Sequence, residues 1–141
     1  AGGAAVEAER AGRSAWERCV GGDVTALLRH RGHLYGVTDA SVAMCWNPTT
    51  GETLWKGRLG GTFFSSPVLV GNLIYATNLS GQTFVYKAQP SGFELVAENK
   101  LGHEVYATPA ICGGQIFTRV AYHNDGRRDE VLYCLGTDSS E

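Results

Sequence analysis

The sequence repeats itself with a period of about 40 residues, and this repeat limits the folds open to the chain more than any other feature. The segment 66–75, Ser-Pro-Val-Leu-Val-Gly-Asn-Leu-Ile-Tyr, returns at 108–117 as Thr-Pro-Ala-Ile-Cys-Gly-Gly-Gln-Ile-Phe, an offset of 42. Residues 31–35 match the end of that pattern, and residues 16–22 return as residues 55–61. Three anchors that agree on one period indicate a repeat protein in which each unit packs on its neighbours.

Each period carries the pattern of four short antiparallel strands. Between residues 66 and 88, three runs of apolar and β-branched residues are separated by Gly-Asn and Ser-Gly turns. In the preceding unit the segment 47–52 is turn sequence, because Pro48 fixes its own φ and Gly51 supplies a left-handed position before a fourth strand at 53–59. A four-stranded unit that recurs at this period predicts the blade of a β-propeller.

The segment 47–55 resembles the D-x-x-T-G-x-x-x-W signature of pyrroloquinoline-quinone-type propeller repeats, with Asn47 in place of the usual Asp. The resemblance covers roughly residues 16–136, and the closest members are non-enzymatic bacterial proteins similar to the outer-membrane assembly lipoprotein. It implies an all-β fold of four-stranded antiparallel blades, about three in this chain, and it suggests an extracytoplasmic location. The repeat signature consists of Trp16, Gly51, Trp55, Pro67, Gly71 and Pro109.

The predicted organisation is a run of blades between two short tails. Residues 1–15 are expected to form a flexible leader or tail, since they carry almost no apolar face, and residues 137–141 are expected to form a C-terminal tail. The region 16–136 between them holds the three repeats. Its parts are a lone fourth strand at 16–20, complete blades at about 24–59 and 66–101, and the first three strands of a blade at 107–135.

Three blades are too few to close a propeller, which needs about four to eight. One interpretation is a head-to-tail homodimer with a six-bladed ring, in which residues 16–20 of each chain complete the last blade of the other. The other is that missing blades of a larger propeller lie outside this sequence. The sequence leaves both open.

The resemblance raises three classes of function. We favour a non-catalytic propeller scaffold that binds a protein or another ligand. The alternatives are a fragment or subunit of a quinoprotein dehydrogenase whose cofactor pocket is incomplete here, and a glycan-binding oligomeric propeller. Dye reduction after reconstitution with quinone and Ca²⁺ would distinguish the dehydrogenase from the scaffold.

Several features speak against the dehydrogenase. Family enzymes need a catalytic Asp, ligands for Ca²⁺, a tryptophan face over the quinone and often a disulfide between adjacent cysteines, whereas this sequence has no adjacent cysteines. Trp16 and Trp55 occupy the repeated fourth-strand position, and Trp46 falls in a third strand. We therefore predict no catalytic, cofactor-binding or metal-binding residue and no cofactor.

One polar segment is a candidate interaction site. Residues 121–130 form an insertion where the other units have a tight turn between the second and third strands, and long loops often carry function. Within it, Asn-Asp-Gly is turn sequence, which predicts a solvated hairpin tip or a partner contact. The candidate residues are His123, Asn124, Asp125, Arg127 and Arg128. The adjacent pair His103 and Glu104, in the loop that precedes this unit, is a weak indication of metal or acid–base chemistry.

Composition and cysteine spacing argue against nucleic-acid partners, membrane spans and metal sites. A net charge of −2 indicates no nucleic-acid partner, and no apolar run, the one at 67–70 included, is long enough to span a membrane. Four cysteines, at positions 19, 45, 112 and 134, stand singly without the spacing of metal ligands. They are predicted to be small buried side chains, with a bridge between distant strands as the alternative.

Overall fold

A computed structural model describes residues 16–20 and 22–136, and the expected tails at 1–15 and 137–141 lie outside these residues. The described part contains eleven strands in three antiparallel sheets, which we call blades 1, 2 and 3. The predicted all-β class with antiparallel blades is confirmed. The described residues include no helix that could cross a membrane.

The strands of each blade follow one another in chain order, so every neighbour in a sheet is also a neighbour in sequence. Blade 1 contains β1 (Val24–His30), β2 (His33–Thr38), β3 (Val42–Trp46) and β4 (Thr53–Arg58). Blade 2 contains β5 (Val68–Val70), β6 (Leu73–Thr77), β7 (Gln82–Lys87) and β8 (Leu95–Lys100). Blade 3 contains β9 (Ala110–Cys112), β10 (Gln115–Asn124) and β11 (Arg127–Gly136).

Residues 16–20 differ from their predicted state, because the structure gives no strand there. A strand exists through hydrogen bonds to a neighbouring strand, and within the described residues none lies beside this segment. The sequence pattern of a fourth strand is present, but the three strands that it would extend are not next to it.

The main core lies between blades 1 and 2, where one face of each sheet meets the other. Trp55 of β4 is at its centre, with ring centroids 6.1 Å from Tyr35, 6.3 Å from Tyr86 and 5.6 Å from Phe93. Its indole Nε1 also donates a hydrogen bond of 2.7 Å to the carbonyl oxygen of Gln89, in the turn between β7 and β8. This repeated tryptophan joins two blades through both an aromatic contact and a hydrogen bond.

Blades 2 and 3 meet less closely. A cavity of about 140 Å³ remains between them, with Tyr75 and Leu101 on one side and Ile116, Val120 and Leu135 on the other. Cofactor pockets usually measure roughly 300–1,000 Å³. This cavity is therefore a packing gap between two apolar faces.

The cysteines correct a prediction. Only Cys45 is buried, and burial raises the pKa of its thiol to about 11. Cys19, Cys112 and Cys134 are exposed, and all four thiols are free, so neither burial of every cysteine nor a bridge is found. Cys134 is exposed because no blade covers the outer face of β11 within the described residues.

Candidate interaction site

The polar segment of blade 3 extends two paired strands and is not an inserted loop. Strands β10 and β11 pair continuously from Gln115 opposite Gly136 to Asn124 opposite Arg127. The two residues between them, Asp125 and Gly126, have φ angles of 48° and 77°. Positive φ at both central residues defines a type I′ turn, whose twist matches that of the flanking strands. The turn chemistry was predicted, whereas the length of the strands was not.

Glu104 is the centre of the charged contacts beneath this hairpin. Its carboxylate lies 2.9 Å from Nε2 of His123, and it accepts bonds of 2.9 Å and 3.1 Å from Nη2 and Nε of Arg128. Nη1 of Arg128 also donates a bond of 2.6 Å to Glu130. The hydrogen bonds from His123 and Arg128 lower the pKa of Glu104, and the bond from Arg128 lowers the pKa of Glu130. Two carboxylates therefore hold one arginine in place.

His103 supports the same hairpin from the loop before blade 3. Its Nδ1 accepts a 3.0 Å hydrogen bond from the backbone N–H of His123, and the two imidazoles lie parallel within 10°. Its ring also forms a T-shaped contact with the ring of Tyr122, whose hydroxyl is 2.7 Å from that of Tyr133. Among the described residues, no three or more His, Cys, Asp or Glu side chains are placed to hold a metal ion. The contacts of His103 and Glu104 hold the hairpin.

The predicted interaction residues all lie on this hairpin and are exposed. His123 and Arg128 are fixed by Glu104, while Asn124 and Asp125 form the tip. Arg127 pairs with Asp129 across 2.7 Å. The structure thus divides the five residues into a pair held by Glu104, an arginine paired within its own strand, and the two residues of the tip.

Glu104 was missed as a binding partner for the hairpin, although the repeat contains the signal that would find it. In each blade, a backbone N–H just beyond the repeated part of the second strand donates a hydrogen bond to a carbonyl of the loop that leads into the first strand. In blade 3 this N–H lies within the longer strand β10. The pairs are Asp39 with Asp23, Leu79 with Thr62, and Ala121 with Glu104. Alignment of the repeats therefore places the loop of Glu104 against the base of the hairpin.

An acid titration tests this arrangement. The pKa of Glu104 is lowered in the folded protein. Its contribution to stability is therefore present above the unfolded pKa and is lost as the pH falls through the folded pKa. We expect amide exchange of the hairpin, corrected for intrinsic rates, to become several-fold faster as the pH falls below the usual glutamate range. Glu104→Gln should give the same faster amide exchange of the hairpin already at neutral pH.

Glu94→Gln is the matched control, because Glu94 also has a lowered pKa but pairs with Lys87 in blade 2. It should leave exchange in the hairpin unchanged. Equal hairpin exchange in the Glu104 variant and the unmodified protein would contradict the role of Glu104.

The segment 16–20 docks on blade 1 in the way that β4 docks on blade 2. Nε1 of Trp16 donates a 2.7 Å hydrogen bond to the carbonyl oxygen of Pro48, and Nε1 of Trp55 donates one of the same length to Gln89. Gly51 has a φ of +73°, and a Cβ there would lie 2.5 Å from the ring of Trp16. Two parts of the repeat signature, the tryptophan and the turn glycine, thus form the two sides of one contact.

The other signature residues lie where strands begin and turn. Pro67 directly precedes β5, and Pro109 directly precedes β9. Gly71 has a φ of +60° in the two-residue turn between β5 and β6. The two prolines thus mark the start of blades 2 and 3, and the glycine marks the first turn of blade 2.

The comparisons with known proteins agree with the repeat and the sheets. Residues 4–92 match the family model described as outer membrane protein assembly factor BamB. In solved structures, the chain is similar to BamB from Moraxella catarrhalis at 16% identity and a TM-score of 0.61, over 86% of this chain and 37% of that chain. It is also similar to the computationally designed Ika4 protein, at 16% identity and a TM-score of 0.58, over 81% of this chain and 67% of that chain.

These similarities confirm the predicted partial β-propeller of pyrroloquinoline-quinone-type repeats. At this identity the structural likeness shows the fold alone. The chain spans little more than a third of the length of the BamB chain it resembles. A comparison with curated proteins finds no match.

Proposed function

This chain belongs to the family described as outer membrane protein assembly factor BamB, and from that membership we propose that it is a non-catalytic propeller scaffold that binds proteins. The family description names an assembly factor. The polar cluster of blade 3 supports the proposal, because His123 and Arg128 each bond to Glu104. Side chains paired in this way order the surface on which they lie.

A partial propeller of this size calls for completion by further blades or a partner. In our proposal a second copy supplies them, joined head to tail into a six-bladed ring. The observation that carries this step is the equivalence of Trp16 and Trp55, which dock with the same hydrogen bond on successive blades. Residues 16–20 therefore act as the fourth strand of a blade whose other strands come from the second copy.

The hairpin of blade 3 is the proposed protein-binding element of this scaffold. It carries the exposed residues 123–128 on two strands with a type I′ turn, and Glu104 fixes it to the neighbouring loop. A surface that is rigid before binding loses little conformational entropy when a partner arrives. Its mixed charges favour a polar protein surface over nucleic acid.

The solution mass tests ring formation. We expect light scattering coupled to gel filtration, at micromolar concentration, to give twice the chain mass of 15.1 kDa. Trp16→Ala should shift the population toward the single chain, because it removes both the hydrogen bond to Pro48 and the ring contact with Gly51.

Arg18→Ala is the control, since Arg18 is an exposed side chain in the same segment. It should keep the doubled mass. A single-chain mass for the unmodified protein at this concentration would contradict the ring.

A further inference from the structure

We infer that the outer edge of β11 is a strand-binding site, and that its ligand is residues 16–20 of a second copy in one fixed register. The inference rests on the proposed ring and deepens it, because it names the atoms that meet where the copies join. It is carried by an open strand edge, an open sheet face and a segment that matches both.

Among the residues that the structure describes, the edge of β11 is open where the equivalent edges are closed. In blade 1 the third strand, β3, pairs with β2 and β4, and in blade 2 the third strand, β7, pairs with β6 and β8. Strand β11 is the third strand of blade 3, and within the described residues it pairs with β10 alone. Its outward N–H and C=O groups therefore form a template for one more antiparallel strand.

The face of blade 3 that points away from blade 2 is also open. The repeat and the strand registers make Phe117, Leu132 and Cys134 equivalent to three core residues of blade 1. Those core residues are Tyr35, Ala43 and Cys45, which are 0–1% exposed under blade 2.

By contrast, Leu132 is 75% exposed and Phe117 is 38% exposed. The equivalent apolar face is buried under blade 2 in blade 1, whereas in blade 3 it is exposed. It therefore fits a neighbouring blade of the same repeat.

Residues 16–20 suit this edge because they already occupy the position of a fourth strand. Trp16 is docked on blade 1 through Pro48, as Trp55 is docked on blade 2. A second copy thus brings the missing strand together with a blade to cover the open face. Next to that strand, blade 1 offers an apolar cleft lined by Leu27, Leu34 and Trp46.

The register follows from the pairs within blade 1. There Cys45 lies opposite Trp55, and Val42 lies opposite Arg58. Blade 2 repeats this geometry, with Val85 opposite Ala97 and Gln82 opposite Lys100. At the interface between the two copies, the equivalent pairs are Cys134 of one copy opposite Trp16 of the other, and Val131 opposite Cys19.

Cross-linking tests the register. Opposed residues of an antiparallel pair have Cα atoms about 4.5–5.5 Å apart, within the range of a disulfide. In a background with Cys112→Ser and Cys134→Ser, Val131→Cys should give a chain-to-chain cross-link with Cys19 after mild oxidation with copper phenanthroline. Leu132→Cys is the matched control, because adjacent residues of a strand point to opposite faces. Adding Cys19→Ser to the Val131→Cys variant should remove the cross-link.

Each sample is also weighed by light scattering before oxidation, so that the register and the ring are judged separately. A doubled mass with a cross-link at position 131 and none at 132 supports both. A doubled mass with no cross-link at 131, or an equal one at 132, overturns the register and leaves the ring standing. A single-chain mass with a cross-link confined to 131 keeps the strand-binding edge and overturns the stable ring. A single-chain mass with no cross-link overturns both.

Discussion

Trp55→Ala is expected to lower the free energy of unfolding by about 3–5 kcal/mol, the range for a large aromatic removed from a core. The indole of Trp55 fills the space among Tyr35, Tyr86 and Phe93, so its loss leaves a cavity that three rings cannot refill without moving. The carbonyl oxygen of Gln89 also loses its indole donor. Urea unfolding followed by circular dichroism would measure the change.

Two companion variants separate the causes. Leu54→Ala alters the preceding residue of the same strand, which is 36% exposed, and should cost less than about 1 kcal/mol. Trp55→Phe keeps a ring in the core but removes the hydrogen bond, and should cost less than Trp55→Ala. Equal costs for Leu54→Ala and Trp55→Ala would show that the joint between blades 1 and 2 does not depend on the tryptophan.

Gly81→Ala should have a comparable effect through the backbone. Gly81 has a φ of +84°, and a Cβ there would lie 2.2 Å from the carbonyl oxygen of Leu101. That oxygen belongs to the main chain and cannot rotate away, and the N–H of Leu101 donates a 2.9 Å hydrogen bond to the carbonyl of Gly81. We expect a loss of more than about 3 kcal/mol, measured in the same urea assay.

Gly71→Ala is the matched control for the backbone conformation alone. Gly71 also has a positive φ, of +60°, but a Cβ there meets nothing within 4 Å. Its cost should stay near the roughly 1–2 kcal/mol of an L-residue in the left-handed region. If both variants lower the free energy of unfolding by the same amount, the close approach of Leu101 to Gly81 does not contribute to the effect.

The blades could be predicted from sequence because their signals are local. Turn glycines such as Gly51 and Gly71, and the apolar strands beside them, lie within one period and need no distant partner to be recognised. The state of residues 16–20 could not be predicted in the same way. Their pattern is that of a fourth strand, but the hydrogen bonds that define a strand depend on a neighbour elsewhere.

The candidate site was predicted in part. The Asn-Asp-Gly sequence marks a turn, and the type I′ geometry at Asp125 and Gly126 agrees with it. The length of β10 and β11 had no local signal, because the polar residues 123–130 lack the alternation of a half-buried strand. Glu104 was missed as the partner of the hairpin because His123 and Arg128 lie 19 and 24 residues away in sequence. Such contacts emerge only when the repeats are aligned.

The hydrogen bond from a tryptophan to the carbonyl of the next turn has a consequence for how such chains change over generations. Trp16 and Pro48, like Trp55 and Gln89, belong to successive periods, so each joint involves adjacent units alone. Duplication or loss of one whole period would preserve every remaining joint, whereas an insertion of half a period would separate an indole from its acceptor. This contact therefore makes the 40-residue period the unit that can be duplicated or deleted. The number of blades can change in this way without changes to the sequence of any one blade.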